Sequence, residues 1–170
     1  MSLIDVLARR RVALGFVCGI AALVLATPTR ESLIAGALVA AAGEAVRIWA
    51  AGHLEKSREV TTSWPYRFTR HPLYAGSAII TLGFVIASKS VVVAVLAAAY
   101  LAATYTAAIR REEAFLTAKF GAAYPDYKAG RLGGVARTFS FERAMRNREY
   151  RAVAGIAVAL AVLAVKMAIR

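Results

Sequence analysis

Residues 91–109 read VVVAVLAAAYLAATYTAAI and contain no charged side chain. A helix of about 20 apolar residues is long enough to cross the hydrocarbon core of a bilayer, so this stretch predicts a transmembrane helix. Four further apolar runs have the same character, although several are shorter: 12–27, 33–52, 72–88 and 152–169. The sequence therefore predicts an all-α integral membrane protein, a helical bundle of about five transmembrane helices in a single domain.

The composition of the 170-residue chain favours a membrane protein over other classes. Apolar residues make up 59% of the chain and charged residues 19%, yet the net charge is +12. The apolar fraction exceeds the roughly 45–50% of soluble domains, and disordered chains are poor in apolar residues. A nucleic-acid-binding protein can be this basic but is not this apolar. We therefore expect the lipid bilayer, and no nucleic acid, as a partner; the oligomeric state is left open.

The basic residues fall on alternate sides of the predicted spans. Seventeen of the 22 lysines and arginines lie in the segments 1–11, 53–71 and 110–151. Because cytoplasmic loops carry the excess of positive charge, we expect these segments and the N-terminus inside and the C-terminus outside. Arginine outnumbers lysine and alanine is frequent, which favours a bacterial source and hence the inner (plasma) membrane. The start of the chain also resembles a signal peptide, but we interpret the first run as a retained span.

The first candidate site is the sequence RHPLYAG at residues 70–76, where a cytoplasmic loop enters the third span. Pro72 suits the first position of a helix, and the free N–H groups of a helix start attract a carboxylate or phosphate. Arg70 and His71 add donors at that end, and Gly76 allows a ligand or a backbone to approach closely. The alternative is an anchor at the membrane interface.

The second candidate site, RREEAFLTAKFGAAYPDY at residues 110–127, follows the fourth span. The helical spacing of its apolar residues predicts that the helix continues out of the membrane and ends near Gly121. Glu112 and Glu113 point about 100° apart on a helix. We therefore expect one to pair with an arginine and the other to accept hydrogen bonds from a ligand. The alternative is a solvated charged turn with aromatic anchors.

A third candidate site lies inside the second span, where Glu44 and Arg47 share one helical face. Charged side chains are costly in a bilayer, so the two residues should pair or line a polar cavity. The alternative is a purely structural ion pair. The sequence shows no Cys, His and carboxylate spacing of a metal site, and no metal is expected.

Two further cytoplasmic segments are rich in basic residues. The loop 53–69 is aromatic as well as basic, and it either covers a ligand or lies on the lipid headgroups. In the segment 131–151, Ser140 suits the N-cap of an amphipathic helix that lies on anionic lipid at the interface. The last span, 152–169, follows directly.

Taken together, the motifs resemble the isoprenylcysteine carboxyl methyltransferase family and the related phospholipid methyltransferases. The resemblance lies in R-H-P-x-Y-x-G at 70–76, in E-E-x-x-L-x-x-x-F-G-x-x-Y-x-x-Y at 112–127, and in the lead-in at 62–69. It covers about 53–128. It implies a membrane methyltransferase that uses S-adenosylmethionine, with the cofactor largely enclosed at the cytoplasmic end of the last spans. Where the family often continues with an R-V-P-like segment, this chain has RLGG at 131–134.

The resemblance implies that His71, Tyr74 and Glu113 help to bind the cofactor. We predict Tyr66, Arg70 and Gly76 as further cofactor-binding residues. The predicted catalytic residues would orient a carboxylate acceptor or take a proton from an amine acceptor, and they are Glu44, Arg47, Arg111 and Glu112. The acceptor is expected to be amphipathic or lipid-like, and carboxylate and amine chemistry both remain open.

Two other functional classes stay open at this point. Membrane sterol and steroid reductases share related motifs and bind NADPH, but they usually read R-H-P-N-Y, whereas this chain has Leu73 after the proline. The adjacent glutamates after the fourth span also favour the methyltransferase. A non-enzymatic membrane scaffold or transporter subunit is the third class. It predicts that substitution of His71 or Glu113 changes neither cofactor binding nor any activity.

Overall fold

The computed structural model describes residues 3–56, 58–134 and 136–169, and these residues form helices and connecting loops without a strand. The predicted all-α fold is thereby confirmed. In chain order the helices are α1 (Leu3–Leu25), α2 (Arg30–Ala51), α3 (Pro72–Ser88), α4 (Val91–Phe120), α5 (Ala123–Lys128), α6 (Phe141–Arg146) and α7 (Tyr150–Ala168).

The long helices follow the predicted apolar runs, and together they form a membrane helical bundle. By length and composition, α2, α4 and α7 can each cross a membrane. The apolar part of α1, Val12–Leu25, and the whole of α3 are shorter than a full span. Helix α3 has the predicted bounds, and Pro72 occupies its first turn as expected. Helix α4 continues well past its apolar run, to Phe120.

Helices α2 and α3 pack closely because glycines face each other along their contact. A Cβ atom on Gly43 would lie 2.7 Å from the carbonyl oxygen of Gly76, and one on Gly83 would lie 2.6 Å from the backbone nitrogen of Ala40. Small residues at such positions let two membrane helices approach to backbone distance. This contact fixes α2 against the beginning of α3, where the first motif lies.

The extension of α4 beyond its apolar run ends as the sequence predicts. Gly121 follows the last residue with φ +55°, and its N–H donates to the carbonyl of Thr117 at 3.0 Å. Glycine adopts this left-handed conformation without steric cost. The chain then turns back into the short helix α5, which brings its tyrosines toward the start of α3.

The basic segment before the last span forms a shorter helix than expected. Ser140 caps α6 as predicted, and its Oγ accepts from the N–H of Arg143 at 3.2 Å. The helix ends at Arg146, however, and Arg148 adopts φ +65° before α7 begins. A non-glycine residue with positive φ breaks the helical path.

Candidate functional site

A cavity of about 510 Å³ lies where α3 begins and α4 leaves its apolar run. Its volume falls within the roughly 300–1,000 Å³ of small-molecule sites. The wall combines tyrosine rings with charged side chains from both sequence motifs. These wall residues include Arg47, Lys56, Glu59, Tyr66, Arg70, His71, Tyr74, Arg111, Glu112, Tyr124 and Tyr127.

The beginning of α3 is held in place by a charged cluster around Glu113. The N-cap position is His71, whose Nε2 lies 3.4 Å from Glu113 Oε1. Lys128 Nζ donates to Glu113 Oε2 at 2.6 Å, and Arg70 Nε lies 3.9 Å from Oε1. The side chain of His71 makes no capping bond. Pro72 has no N–H, and those of Tyr74 and Ala75 donate to the His71 carbonyl at 3.1 Å, so at most the N–H of Leu73 is available at this helix start. Such a helix start suits an anionic group.

The tyrosines of the wall include buried hydroxyl groups without a protein partner. Among the described residues, the hydroxyls of Tyr66 and Tyr124 are buried and make no hydrogen bond. The Oγ1 of Thr61 is also buried and without a hydrogen-bond partner. Burial, reinforced by nearby glutamates, raises the pKa of both phenols, which therefore stay protonated. By contrast, the hydroxyl of Tyr127 donates to the backbone carbonyl of Tyr66 at 2.5 Å. Because buried polar groups normally have partners, the unpartnered hydroxyls indicate a place for a ligand.

Arg47 reaches the cavity from α2, where it is held by residues of two other elements. Its Nε and Nη2 donate to both carboxylate oxygens of Glu149 at 2.8–3.1 Å. Its Nη1 donates to the hydroxyl of Ser77 on α3 at 2.5 Å. Glu44 lies 3.5 Å from Arg47 Nε, but neither of its oxygens has a hydrogen-bond partner in the described part of the chain.

The structure brings most of the predicted site residues together. Those that line the cavity are Arg47, Tyr66, Arg70, His71, Tyr74, Arg111 and Glu112. Within the described ranges, Glu44, Gly76 and Glu113 are not part of its wall. Gly76 lies at the α2–α3 contact, where an added Cβ would meet Arg47 Cγ at 2.6 Å. Glu113 is turned toward its cationic neighbours instead of the cavity.

Sequence reasoning missed Glu149, Ser77 and Thr61 as members or supports of the site. One signal was available for Glu149. An arginine within a span requires a partner, and Glu149 comes directly before α7, which follows the basic segment 131–151. Ser77 and Thr61 carry no comparable pattern, because a single hydroxyl in a helix or a loop is common.

The basic residues of the segment before α7 are largely engaged with the loop after α2. Arg143 Nε and Arg146 Nη2 each lie 3.4 Å from Glu55 Oε1. Arg137 donates to the backbone carbonyl of His53 at 3.2 Å and forms an ion pair with Glu59 at 2.5 Å. We refer to residues 137–149 as the C-terminal strap, because they cross the end of α2 and hold this loop.

Two curated relatives match part of the chain. The cobalt-zinc-cadmium resistance protein CzcN of Cupriavidus metallidurans (strain ATCC 43123 / DSM 2839 / NBRC 102507 / CH34) is 36% identical over 76 residues, 44% of this chain and 35% of that protein. The nickel-cobalt-cadmium resistance protein NccN of Alcaligenes xylosoxydans xylosoxydans is 34% identical over 76 residues, 44% of this chain and 36% of that protein. The match thus spans about a third of each relative. Among the described residues, no three His, Cys, Asp or Glu side chains form a group that could hold a metal.

No solved structure matches the chain. The sequence profile of the phospholipid methyltransferase family matches residues 44–123. This range begins at Glu44, contains the first motif, and ends within the second motif. It therefore includes α3, the extension of α4 and the part of α2 that carries Arg47. The match confirms the resemblance that the two motifs indicated: residues 44–123 are similar to the phospholipid methyltransferase family.

Proposed function

We propose that this protein transfers a methyl group from S-adenosylmethionine to an amphipathic, lipid-like acceptor at the cytoplasmic face of the bacterial plasma membrane. The observation that carries the proposal is the cavity at the start of α3, whose wall unites both motifs with buried, unpartnered tyrosine hydroxyls. The family match supports a membrane methyltransferase. The lipid-like acceptor and the side of the membrane are our own extension, based on the basic segments around the cavity.

The residues of the wall fit the chemistry of S-adenosylmethionine. The start of α3, together with Arg70 and His71, offers donors to its amino-acid carboxylate. Tyrosine rings suit its sulfonium, since aromatic faces attract cations. The hydroxyls of Tyr66 and Tyr124 can bond polar atoms of the ligand, which removes the cost of leaving them buried and unpaired. When bound, the cofactor supplies an electrophilic methyl group on a positively charged sulfur.

The protein's own contribution is to position the acceptor and to exclude water. A nucleophile held in line with a good leaving group reacts fast once both are ordered and desolvated. For an amine acceptor, Glu112 on the cavity wall can take the proton that the nitrogen loses. For a carboxylate acceptor, Arg111 or Arg47 can orient the anion, and no general base is needed.

The test is ligand binding to the purified protein in detergent. We would titrate S-adenosylhomocysteine and NADPH separately and compare wild type with His71→Ala. Arg131→Ala is the matched control, because Arg131 is exposed and pairs with Asp126. The proposal predicts binding of S-adenosylhomocysteine alone, at least tenfold weaker in His71→Ala and unchanged in the control.

Other outcomes of the titration point to the other two classes. Binding of NADPH alone would place the site in a reductase. A folded protein that binds neither compound would favour a non-enzymatic membrane scaffold, and the methyltransferase proposal would be wrong.

A further inference from the structure

The guanidinium of Arg47 is oriented by a residue that lies 102 positions away in the chain. Glu149 accepts from Nε and Nη2 in a bidentate arrangement, with distances of 2.8–3.1 Å. Ser77 accepts from Nη1 on the other side. The side chain of Arg47 nevertheless stays 21% exposed and lines the cavity. The guanidinium is thus fixed by two partners while the side chain still contributes to the cavity wall.

The position of Glu149 beside Arg47 is fixed by the hydrogen bonds that join the C-terminal strap to the end of α2. Asn147 Nδ2 donates to the carbonyls of Ala51 and Leu54, at 2.9 and 3.0 Å, and so joins the strap to the end of α2. The N–H of Ser140 donates to the carbonyl of Gly52 at 3.1 Å. These bonds hold both ends of α6. Glu149, 5% exposed at its side chain, is therefore delivered to Arg47 by a fixed backbone.

No other described acid can take over this role for Arg47. Glu44 is the other carboxylate within ion-pair distance, but at 3.5 Å it makes no hydrogen bond to the guanidinium. A buried arginine that loses its partner pays a large desolvation penalty and seeks a new one. Without Glu149, only the 3.5 Å contact with Glu44 would remain among the described acids, and the bidentate orientation of the guanidinium would be lost.

We propose that Glu149 is a positioning residue, which holds Arg47 against the cavity wall so that Arg47 orients an anionic group, such as a phosphate, in the polar head of the methyl acceptor. The C-terminal strap, which lies beyond residues 44–123 of the family match, then completes the acceptor side of the site. This inference rests on the proposed methyl transfer. A shift of about 1 Å in such a group can lower a rate by roughly 10²-fold.

The test compares full-length variants in detergent and in vesicles of phosphatidylethanolamine and phosphatidylglycerol. The variants are Glu149→Gln, Arg47→Gln, their combination, and the charge exchange of Arg47→Glu with Glu149→Arg. Glu142→Gln is the matched control, since Glu142 is an exposed glutamate on the same strap. Three quantities are measured for each: the affinity for S-adenosylhomocysteine, the thermal midpoint, and the transfer of labelled methyl to lipid.

The inference predicts that each single Gln variant lowers methyl transfer at least tenfold, while its affinity for S-adenosylhomocysteine changes less than threefold. Because Glu149 acts through Arg47, the double Gln variant should be no slower than the slower single variant. The charge exchange should raise the thermal midpoint above that of the single Gln variants without restoring transfer. A purely structural pair would instead recover transfer together with stability, and this result would overturn the inference.

The remaining outcomes separate this inference from the proposed function. If wild type transfers methyl groups and Glu149→Gln does so at the same rate, only the positioning role is wrong. If wild type binds S-adenosylhomocysteine but labels none of the lipid, the lipid acceptor and the positioning role both fall. If it does neither, the methyltransferase proposal itself is wrong.

Discussion

The hydroxyl of Tyr124 offers a test in which stability and binding should change in opposite directions. It is buried, with the residue 2% exposed, and it makes no hydrogen bond within the described structure. Tyr124→Phe removes only this oxygen. A buried hydroxyl without a partner costs about 1–3 kcal/mol, so the ligand-free variant should be more stable than wild type by up to that amount. Each kcal/mol corresponds to roughly 2–4 °C in the midpoint of a chain of this size.

The affinity of Tyr124→Phe for the ligand should fall, although the ligand-free variant is more stable. If S-adenosylhomocysteine supplies the missing partner, the Phe variant loses that hydrogen bond in the complex. A loss of about 1.4 kcal/mol weakens the affinity tenfold. The assay is thermal unfolding in detergent over a series of S-adenosylhomocysteine concentrations, because the rise of the midpoint with ligand reports the dissociation constant.

Tyr127→Phe is the matched control on the same short helix. Its hydroxyl donates to the Tyr66 carbonyl at 2.5 Å, so the substitution should destabilise the ligand-free protein by about 0.5–1.5 kcal/mol. The reasoning would be refuted if Tyr124→Phe lowered the ligand-free midpoint as Tyr127→Phe does, or if it left the affinity for S-adenosylhomocysteine unchanged.

Three further predictions concern the helix packing, the C-terminal strap and the orientation of the protein in the membrane. Gly83→Ala should destabilise the protein by about 1–3 kcal/mol, because its Cβ would meet the backbone of α2 at 2.6 Å; a thermal midpoint equal to wild type would contradict this. Asn147→Ala should speed hydrogen exchange at 51–56, where the carbonyls of Ala51 and Leu54 lose their bonds to the strap, and unchanged exchange would argue against the strap. In a Cys18→Ser background, a membrane-impermeant thiol reagent should label Gly133→Cys only from the cytoplasmic side and Arg30→Cys only from outside. The reverse pattern would invert the proposed orientation.

The sequence predicted the helices well, because the bilayer imposes a length and a lack of charge that can be counted directly. The bounds of α3 and the end of α4 at Gly121 also follow from local rules for proline and glycine at helix ends. The break before α7 could not be predicted in this way. Arg148 takes a positive φ there, a conformation that an arginine in the sequence does not indicate.

Sequence reasoning named seven of the residues that line the cavity, but it could not give their arrangement. Adjacent Glu112 and Glu113 were expected to divide their roles, and in the structure one lines the cavity while the other faces cations. Which of the two does so depends on the position of Lys128, a contact across a turn. Similarly, Gly76 was predicted to bind the cofactor. In the structure it lies at the contact between α2 and α3, directly opposite Gly43.

The most direct test of the central claim is the fate of a labelled methyl group. The purified protein would be placed in vesicles of phosphatidylethanolamine and phosphatidylglycerol and given S-adenosylmethionine labelled in its methyl group, with His71→Ala as the inactive control. The account predicts that label enters the lipid fraction with wild type and falls at least tenfold with His71→Ala. Label that stays entirely with S-adenosylmethionine, in a folded protein that binds S-adenosylhomocysteine, would contradict methyl transfer to lipid.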